Sequence, residues 1–266
     1  MKKNKLLITI SQTNIHWLDK EKNFILFTNI ISSINSDIII LPEMFNTGFY
    51  TNPQTVAENR HGPTLNWMKK TAQKHNIAIT GSFIWQENSN FYNRLIFMRP
   101  DGQWAWYDKR HLFSMAGEHL KFTPGNKRTV FNYLGWKIKP LICYDLRFPV
   151  WARNDQNYDL LIYVANWPKS RIEQWKNLLI ARAIENQSYV MAINRIGQDG
   201  NGFVYSGMSM AINPRGQIIF QAPENKEDIK TIEIDLSLLD EMRHKFPVLN
   251  DSDKFKIDHS KNITFW

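Results

Sequence analysis

Residues 137–151, KIKPLICYDLRFPVW, hold the one cysteine of the chain, and the rest of the sequence is read outward from them. An apolar run from Ile138 to Ile142 is interrupted only by Lys139 and Pro140. At Cys143 it breaks into a polar, proline-punctuated segment with Tyr144, Asp145 and Pro149. That pattern describes a strand ending in a turn or a helix start. A thiol at the carboxyl end of a strand lies where α/β proteins gather their ligands. The backbone N–H groups just after it lack acceptors and can hold a developing negative charge. Read alone, Cys143 is more readily a buried core residue, because free cysteine is among the most buried residue types.

Downstream, 160–164 reads as a buried strand that runs into Ala165, Asn166, Trp167 and Pro168. Residues 172–186 are helical, with Trp175, Leu178, Leu179 and Ala183 on one side, and 189–194 form a strand. Strands over 203–212 and 217–221 flank the Asn-Pro-Arg-Gly turn 213–216. A last strand, 229–236, leads into a short helix and a polar, irregular tail beyond Phe246, which is expected to pack on a partner subunit. Upstream, 5–12 alternates as a strand with Leu6, Ile8 and Ile10 on one face. Phe24, Phe27, Ile31 and Ile34 recur at helical spacing within 19–34, and 37–41 is a continuous apolar strand. That strand stops at Pro42 and Glu43. A long loop, 47–62, precedes a helix from Pro63 through His75 and a strand over 77–85. Strands 94–98 and 104–107 flank a Pro/Gly turn, and a polar loop follows with Lys109, His111, Glu118 and His119. The order gives two similar halves of an α/β chain, which a helix–sheet–sheet–helix sandwich satisfies. The expectation is one domain over 1–266, with 247–266 as a C-terminal tail.

With 266 residues, 43% of them hydrophobic, there is material for a well-buried core. A single cysteine excludes an intrachain disulfide and any cysteine-rich zinc site, and suits a reducing compartment. The basic start, MKKNKLLITISQ, has too short an apolar stretch for a signal peptide, and no run reaches the about 18 apolar residues of a membrane span. The expected location is the cytoplasm. A net charge of +8 raises nucleic acid as a partner, but the lysines and arginines are scattered and build no basic stripe. Neither nucleic acid nor membrane is expected as a partner.

Three residues at strand ends or in loops make a chemical set: Glu43, Lys109 and Cys143. A thiol is a weak nucleophile until a base takes its proton, and a carboxylate can do that. A nearby ammonium stabilises a thiolate or an oxyanion. Alone, Glu43 is as readily a cap of the next segment, and spacing does not prove that the three meet. His111 and His119 beside Glu118 invite a zinc reading, but they lack a ligand pattern and are read as loop polarity, so no metal is expected. The glycine-rich stretch 197–202 has no phosphate-loop lysine. Phe113 and Trp167 are core residues or pocket wall. Arg147 is read as an ion-pair partner of Asp145 or another carboxylate, or as a substrate-binding residue.

Three segments carry a family resemblance: LPEMFNTGF around Glu43, YDKRHLF around Lys109 and LICYDLRFP around Cys143. In this order they resemble the nitrilase, or carbon–nitrogen hydrolase, superfamily over essentially the whole chain. MAGEH around Glu118, YVANWP ending at Pro168, and ARAIENQSYV with NRIGQDGNG are similar to its omega-amidase branch, which acts on 2-oxoglutaramate. The resemblance implies a four-layer α-β-β-α fold that dimerises through its outer helices. It implies Cys143 as nucleophile and Glu43 as general base and then acid. Lys109, with the N–H of Tyr144, would stabilise the oxyanion, and Glu118 would orient the lysine and the amide. No cofactor is implied. The expected reaction is hydrolysis of a small linear omega-amide through a thioester. A nitrilase or carbamoylase using the same residues, or a catalytically idle binding protein, are the alternatives. A substrate carboxylate would need a cation, with Arg147 the first candidate and Arg110, Lys169 and Arg171 the others.

Overall fold

The computed structural model of the chain describes residues 2–257. The first half runs β1 (Lys5–Gln12), α1 (Lys20–Ser32), β2 (Ile38–Ile40), α2 (Pro63–His75), β3 (Ala78–Glu87), β4 (Asn90–Met98) and β5 (Trp104–Asp108). The second runs β6 (Phe131–Tyr133), β7 (Trp136–Ile142), α3 (Pro149–Ala152), β8 (Leu160–Ala165), α4 (Ile172–Asn186) and β9 (Tyr189–Asn194). It continues with β10 (Ile196–Gln198), β11 (Val204–Ser206), β12 (Met210–Ile212), β13 (Ile218–Gln221), β14 (Asp228–Asp235) and α5 (Leu236–Lys245).

Two six-stranded sheets result, ordered β14-β1-β2-β3-β4-β5 and β13-β12-β9-β8-β7-β6. Each has three parallel strands followed by an antiparallel pair: β1, β2, β3 with β4 and β5, and β7, β8, β9 with β12 and β13. The two halves therefore repeat one topology, as the alternation of strands and helices predicts. The apolar run of β2 explains itself in this frame. Ile38 and Ile40 join the core between the sheets, while Ile39 faces the helical layer of α1 and α2. Trp175, Leu179 and Ala183 of α4 close the other side of the second sheet. The architecture is the α-β-β-α sandwich.

Local chemistry sets the helix ends. The Asp19 side chain accepts from the N–H of Lys22 at the start of α1, Pro63 opens α2, and α2 and α4 stop at left-handed Asn76 and Gln187. β3 and β4 extend to a tight hairpin at Asn88 (φ 54°), beyond the apolar residues that marked them. Gln86, Glu87 and Asn90 at the hairpin end carry no hydrophobic signal and are strand because each chain segment supplies the other's backbone bonds.

The expected strand over 203–212 is two strands. It breaks at Gly207 (φ 80°) and Met208 (φ 60°), where a Cβ on Gly207 would lie 2.3 Å from the Gln12 side chain. That amide accepts from Ser209 N–H and donates to the carbonyls of Pro223 and Lys226, replacing strand pairing with side-chain bonds. The tail through residue 257 lies on its own chain: Phe255 sits under the Arg128 guanidinium and Ile257 packs on the core. Residues 258–266 of the expected tail lie outside the described residues.

Candidate active site

The carboxyl ends of four strands converge. Glu43 follows β2, Lys109 follows β5, Cys143 follows β7 and Asn166 follows β8. The first two come from one sheet and the last two from the other. Cys143 opens a 3-10 helix, Cys143–Arg147, in a left-handed conformation (φ 43°). A non-glycine residue held there costs on the order of 1 kcal/mol, and such strain gathers at functional sites. The turn lifts the thiol out of the sheet and leaves it 9% exposed. The N–H of Tyr144 lies in the first turn, where helical donors have no acceptor within the helix.

Glu43 is fully buried. Its Oε1 accepts from Lys109 Nζ (2.9 Å) and Asn93 Nδ2 (2.8 Å), and its Oε2 from the Asn166 backbone N–H (2.9 Å). The Cys143 thiol donates to the carbonyl of Asn166 (3.8 Å), the residue whose N–H binds Glu43. Lys109 Nζ donates to Glu118 at 2.9 and 3.2 Å, and Glu118 accepts in turn from the N–H of Phe113 (2.6 Å). One buried ammonium is thus shared by two buried carboxylates. Burial alone would lower the lysine, but Glu118 and Glu43 outweigh it and hold Lys109 above its ordinary value. Burial and the neighbouring Glu43 push the Glu118 carboxyl up, against the pull of Lys109. Burial first, then the Glu43 charge, raise the Cys143 thiol well above its usual range, so the resting sulfur keeps its proton.

Glu43, Lys109, Glu118 and Cys143 meet. Phe113, Tyr144, Arg147 and Trp167 line the cleft that opens over the thiol. Trp167 is both core and wall, since its ring packs on Trp175 (5.4 Å). The expected Arg147–Asp145 ion pair is absent among the described residues. Asp145 is turned inward to other donors, and the Arg147 guanidinium lies over the Trp167 ring (5.0 Å). Arg171 also lines the cleft, over Phe113 (5.3 Å). Arg110 is spent elsewhere, donating to the Gly125 carbonyl and stacking on Trp151 (5.3 Å). Lys169 does not line the cleft. Neither Arg147 nor Arg171 has a carboxylate partner among the described residues.

Asn93 and Asn166 were not singled out by sequence. Asn93 Nδ2 bridges the two carboxylates, 2.8 Å from Glu43 and 3.3 Å from Glu118. Asparagine is depleted in strands, so one followed by Arg-Leu-Ile-Phe in β4 was the available signal. Asn166 stands at a strand end inside the quoted YVANWP, a position that favours ligands. Phe49, which ends the quoted LPEMFNTGF, also lines the cleft, as do Phe203 and Tyr205, which carry no local signal. His111 and His119 do not converge, and no group of three or more His, Cys, Asp or Glu among the described residues is placed to hold a metal ion.

A four-layer sandwich whose strand ends bring a carboxylate, an ammonium and a thiol together defines a class of hydrolase. The carbon–nitrogen hydrolase family model matches residues 7–244, and the chain belongs to that family. The omega-amidase YafV of Escherichia coli K12 is 45% identical over 253 residues, covering 95% of this chain and 98% of that protein. The 2-oxoglutaramate amidase of Bacillus subtilis is 38% identical over 224 residues, covering 82% and 86%. The crystal structure of a CN-hydrolase superfamily protein from Xanthomonas campestris, with an arsenic adduct in its active site, superposes with a TM-score of 0.93. It is 39% identical and covers 96% of this chain and all of that one. No helix among the described residues is long and apolar enough to cross a membrane.

Proposed function

We propose that the protein is an omega-amidase that hydrolyses a short linear amide bearing a carboxylate at its far end, 2-oxoglutaramate or a close 2-oxo acid amide. The relatives named above support the reaction class. The observation that carries the substrate class is the pair of cleft guanidiniums, Arg147 and Arg171. Both stack on aromatic rings and have no ionic partner among the described residues. An arginine fork in an apolar cleft suits a carboxylate bound through two parallel hydrogen bonds.

The chemistry follows from the charges. Because the thiol resists ionisation, its proton passes to Glu43 as sulfur attacks the amide carbon, with no free thiolate formed beforehand. The oxygen of the tetrahedral adduct takes the negative charge between Lys109 Nζ and the N–H of Tyr144. One such donor is typically worth about 3 kcal/mol of barrier. Protonated Glu43 returns its proton to the nitrogen, the C–N bond breaks, ammonia leaves and a thioester remains on Cys143. A water then gives its proton to Glu43 and attacks the thioester, and the acid departs as sulfur regains its proton. Glu118 holds Lys109 in place and bonds the Phe113 N–H. Asn93 and Asn166 hold Glu43 at both oxygens.

A cytoplasmic homodimer belongs to the same reading. The single buried thiol suits a reducing compartment, and light scattering of the pure protein tests the dimer. The substrate is tested by ammonia release from 2-oxoglutaramate, an uncharged amide of equal length, a nitrile and a carbamoyl amino acid. Preference for the 2-oxo acid amide is expected, and preference for either of the last two would replace this reading. Arg147→Gln and Arg171→Gln are expected to lose selectively on the charged amide, by roughly 2–5 kcal/mol where a buried charge pair is broken. Equal losses on both amides would assign the arginines to the scaffold.

A further inference from the structure

We infer that Asp145 is a positioning residue that ties the Cys143 turn to the Lys109 loop, so that nucleophile and oxyanion-binding ammonium face one substrate carbon at a set distance. The inference rests on Cys143 and Lys109 acting as proposed above.

Asp145 is fully buried, two residues beyond Cys143, and has no lysine or arginine partner among the described residues. Its Oδ2 accepts from the N–H of Ile142 (3.1 Å) and the hydroxyl of Tyr107 (2.7 Å). Its Oδ1 accepts from the N–H of His111 (2.9 Å) and lies 2.8 Å from His111 Nδ1, which donates to it. Ile142 immediately precedes the nucleophile, while Tyr107 and His111 stand two residues before and two after Lys109. One carboxylate therefore grips the strand end that carries the thiol and both flanks of the lysine. The two belong to different sheets, and no strand pairing joins β5 to β7.

The grip is buttressed on each side. The Tyr107 hydroxyl accepts from Trp151 Nε1 (2.9 Å) and the N–H of Arg110 (3.3 Å). The His111 ring stacks on Phe148, with centroids 3.7 Å apart and planes within 7°. Phe148 ends the same 3-10 helix that Cys143 begins. A helix cap alone would need only the bond to Ile142, and the other three donors come from Tyr107 at the end of β5 and His111 in the loop, on either side of Lys109. Burying a carboxylate with no lysine or arginine beside it is costly, and four donors aimed at it are what makes it tolerable here. Misplacing a reacting group by about 1 Å is enough to cost on the order of 100-fold in rate.

The test is Asp145→Asn, Tyr107→Phe and His111→Asn in the full chain, measuring kcat and KM for the amide, Cys143 alkylation by iodoacetamide, and the unfolding midpoint. An asparagine at 145 can accept on one side only, and its amide N–H would oppose the N–H of His111. Alkylation needs the thiol and Glu43 but not Lys109. A positioning role therefore predicts that kcat falls about 10- to 100-fold, while KM and the alkylation rate stay within about threefold. Tyr107→Phe, which keeps the ring and deletes one bond, should show a smaller drop of the same kind, and it carries the test if Asp145→Asn does not fold. Unchanged kcat in folded variants would overturn the inference. So would parallel losses of kcat, alkylation and midpoint, which would make Asp145 a scaffold residue only. An inactive Cys143→Ala protein, checked separately, keeps a failure of this inference distinct from a failure of the proposed chemistry.

Discussion

At the scale of single residues, burial and the Glu43 charge keep the Cys143 thiol protonated, and the proposed chemistry depends on Glu43 to take that proton. Two consequences follow from the proposed roles. Glu43→Gln keeps the shape and the bond to Asn93 but removes the proton acceptor, so acylation by the amide should fall about 100-fold or more. A normal rate of thioester formation in Glu43→Gln, followed by rapid quench, would remove Glu43 from the role of base. Cys143→Ala should have no turnover and should unfold within about 1 kcal/mol of the parent, because it deletes one small, partly open side chain. Measurable amide hydrolysis by that folded variant would mean that another group is the nucleophile.

At the scale of the element, β7 carries a buried ionisable group that the proposed chemistry does not use. Lys139 is buried in the strand that ends at Cys143. Its Nζ donates to Gln156 Oε1 (3.0 Å) and lies 5.6 Å from the centre of the Tyr158 ring. Burial and then the Arg128 charge lower it to about 7, against the weaker pull of Asp155 and Asp145. The unfolded lysine keeps a value of about 10.4, so the fold binds fewer protons than the unfolded chain between these limits. Stability from this group is therefore lowest below pH 7 and rises toward pH 10. Lys139→Met should be more stable than the parent at pH 6, by roughly 2–3 kcal/mol, and should lose that part of the slope. Urea unfolding of both proteins from pH 6 to 9.5 measures it, and identical slopes would show that Lys139 is not the titrating group.

At the scale of the whole molecule, the active site exists only while the two sheets stay face to face, since each supplies half of it. The aromatic contact that pins one end of the sandwich is Phe97 of β4, whose ring lies 5.4 Å from both Phe131 and Tyr133 of β6. Phe97→Ala should cost about 3–5 kcal/mol in chemical unfolding, by lost transfer and the cavity left behind. Its activity loss should track the folded fraction. A loss below about 1 kcal/mol would mean that the sheets repack around the gap.

What the amino-acid order alone determined is whatever local periodicity encodes. The strands β1, β2, β8 and β9, the helices α1, α2 and α4, and the repeated half are written in apolar spacing and in caps such as Asp19 and Pro63. Three motifs at strand ends carried the family and its reactive residues. Only the folded chain decided the rest, because it depends on distances between segments that no local pattern records. Glu43 and Lys109 lie 66 positions apart and Glu43 and Asn166 lie 123 apart, yet each pair is hydrogen-bonded. Gln12 breaks the expected strand at Gly207 from the far end of the sequence. Asp145 passes over its neighbour Arg147 for Tyr107 and His111, because a buried carboxylate takes the donors that the packed sheets bring to it and leaves Arg147 to the cleft.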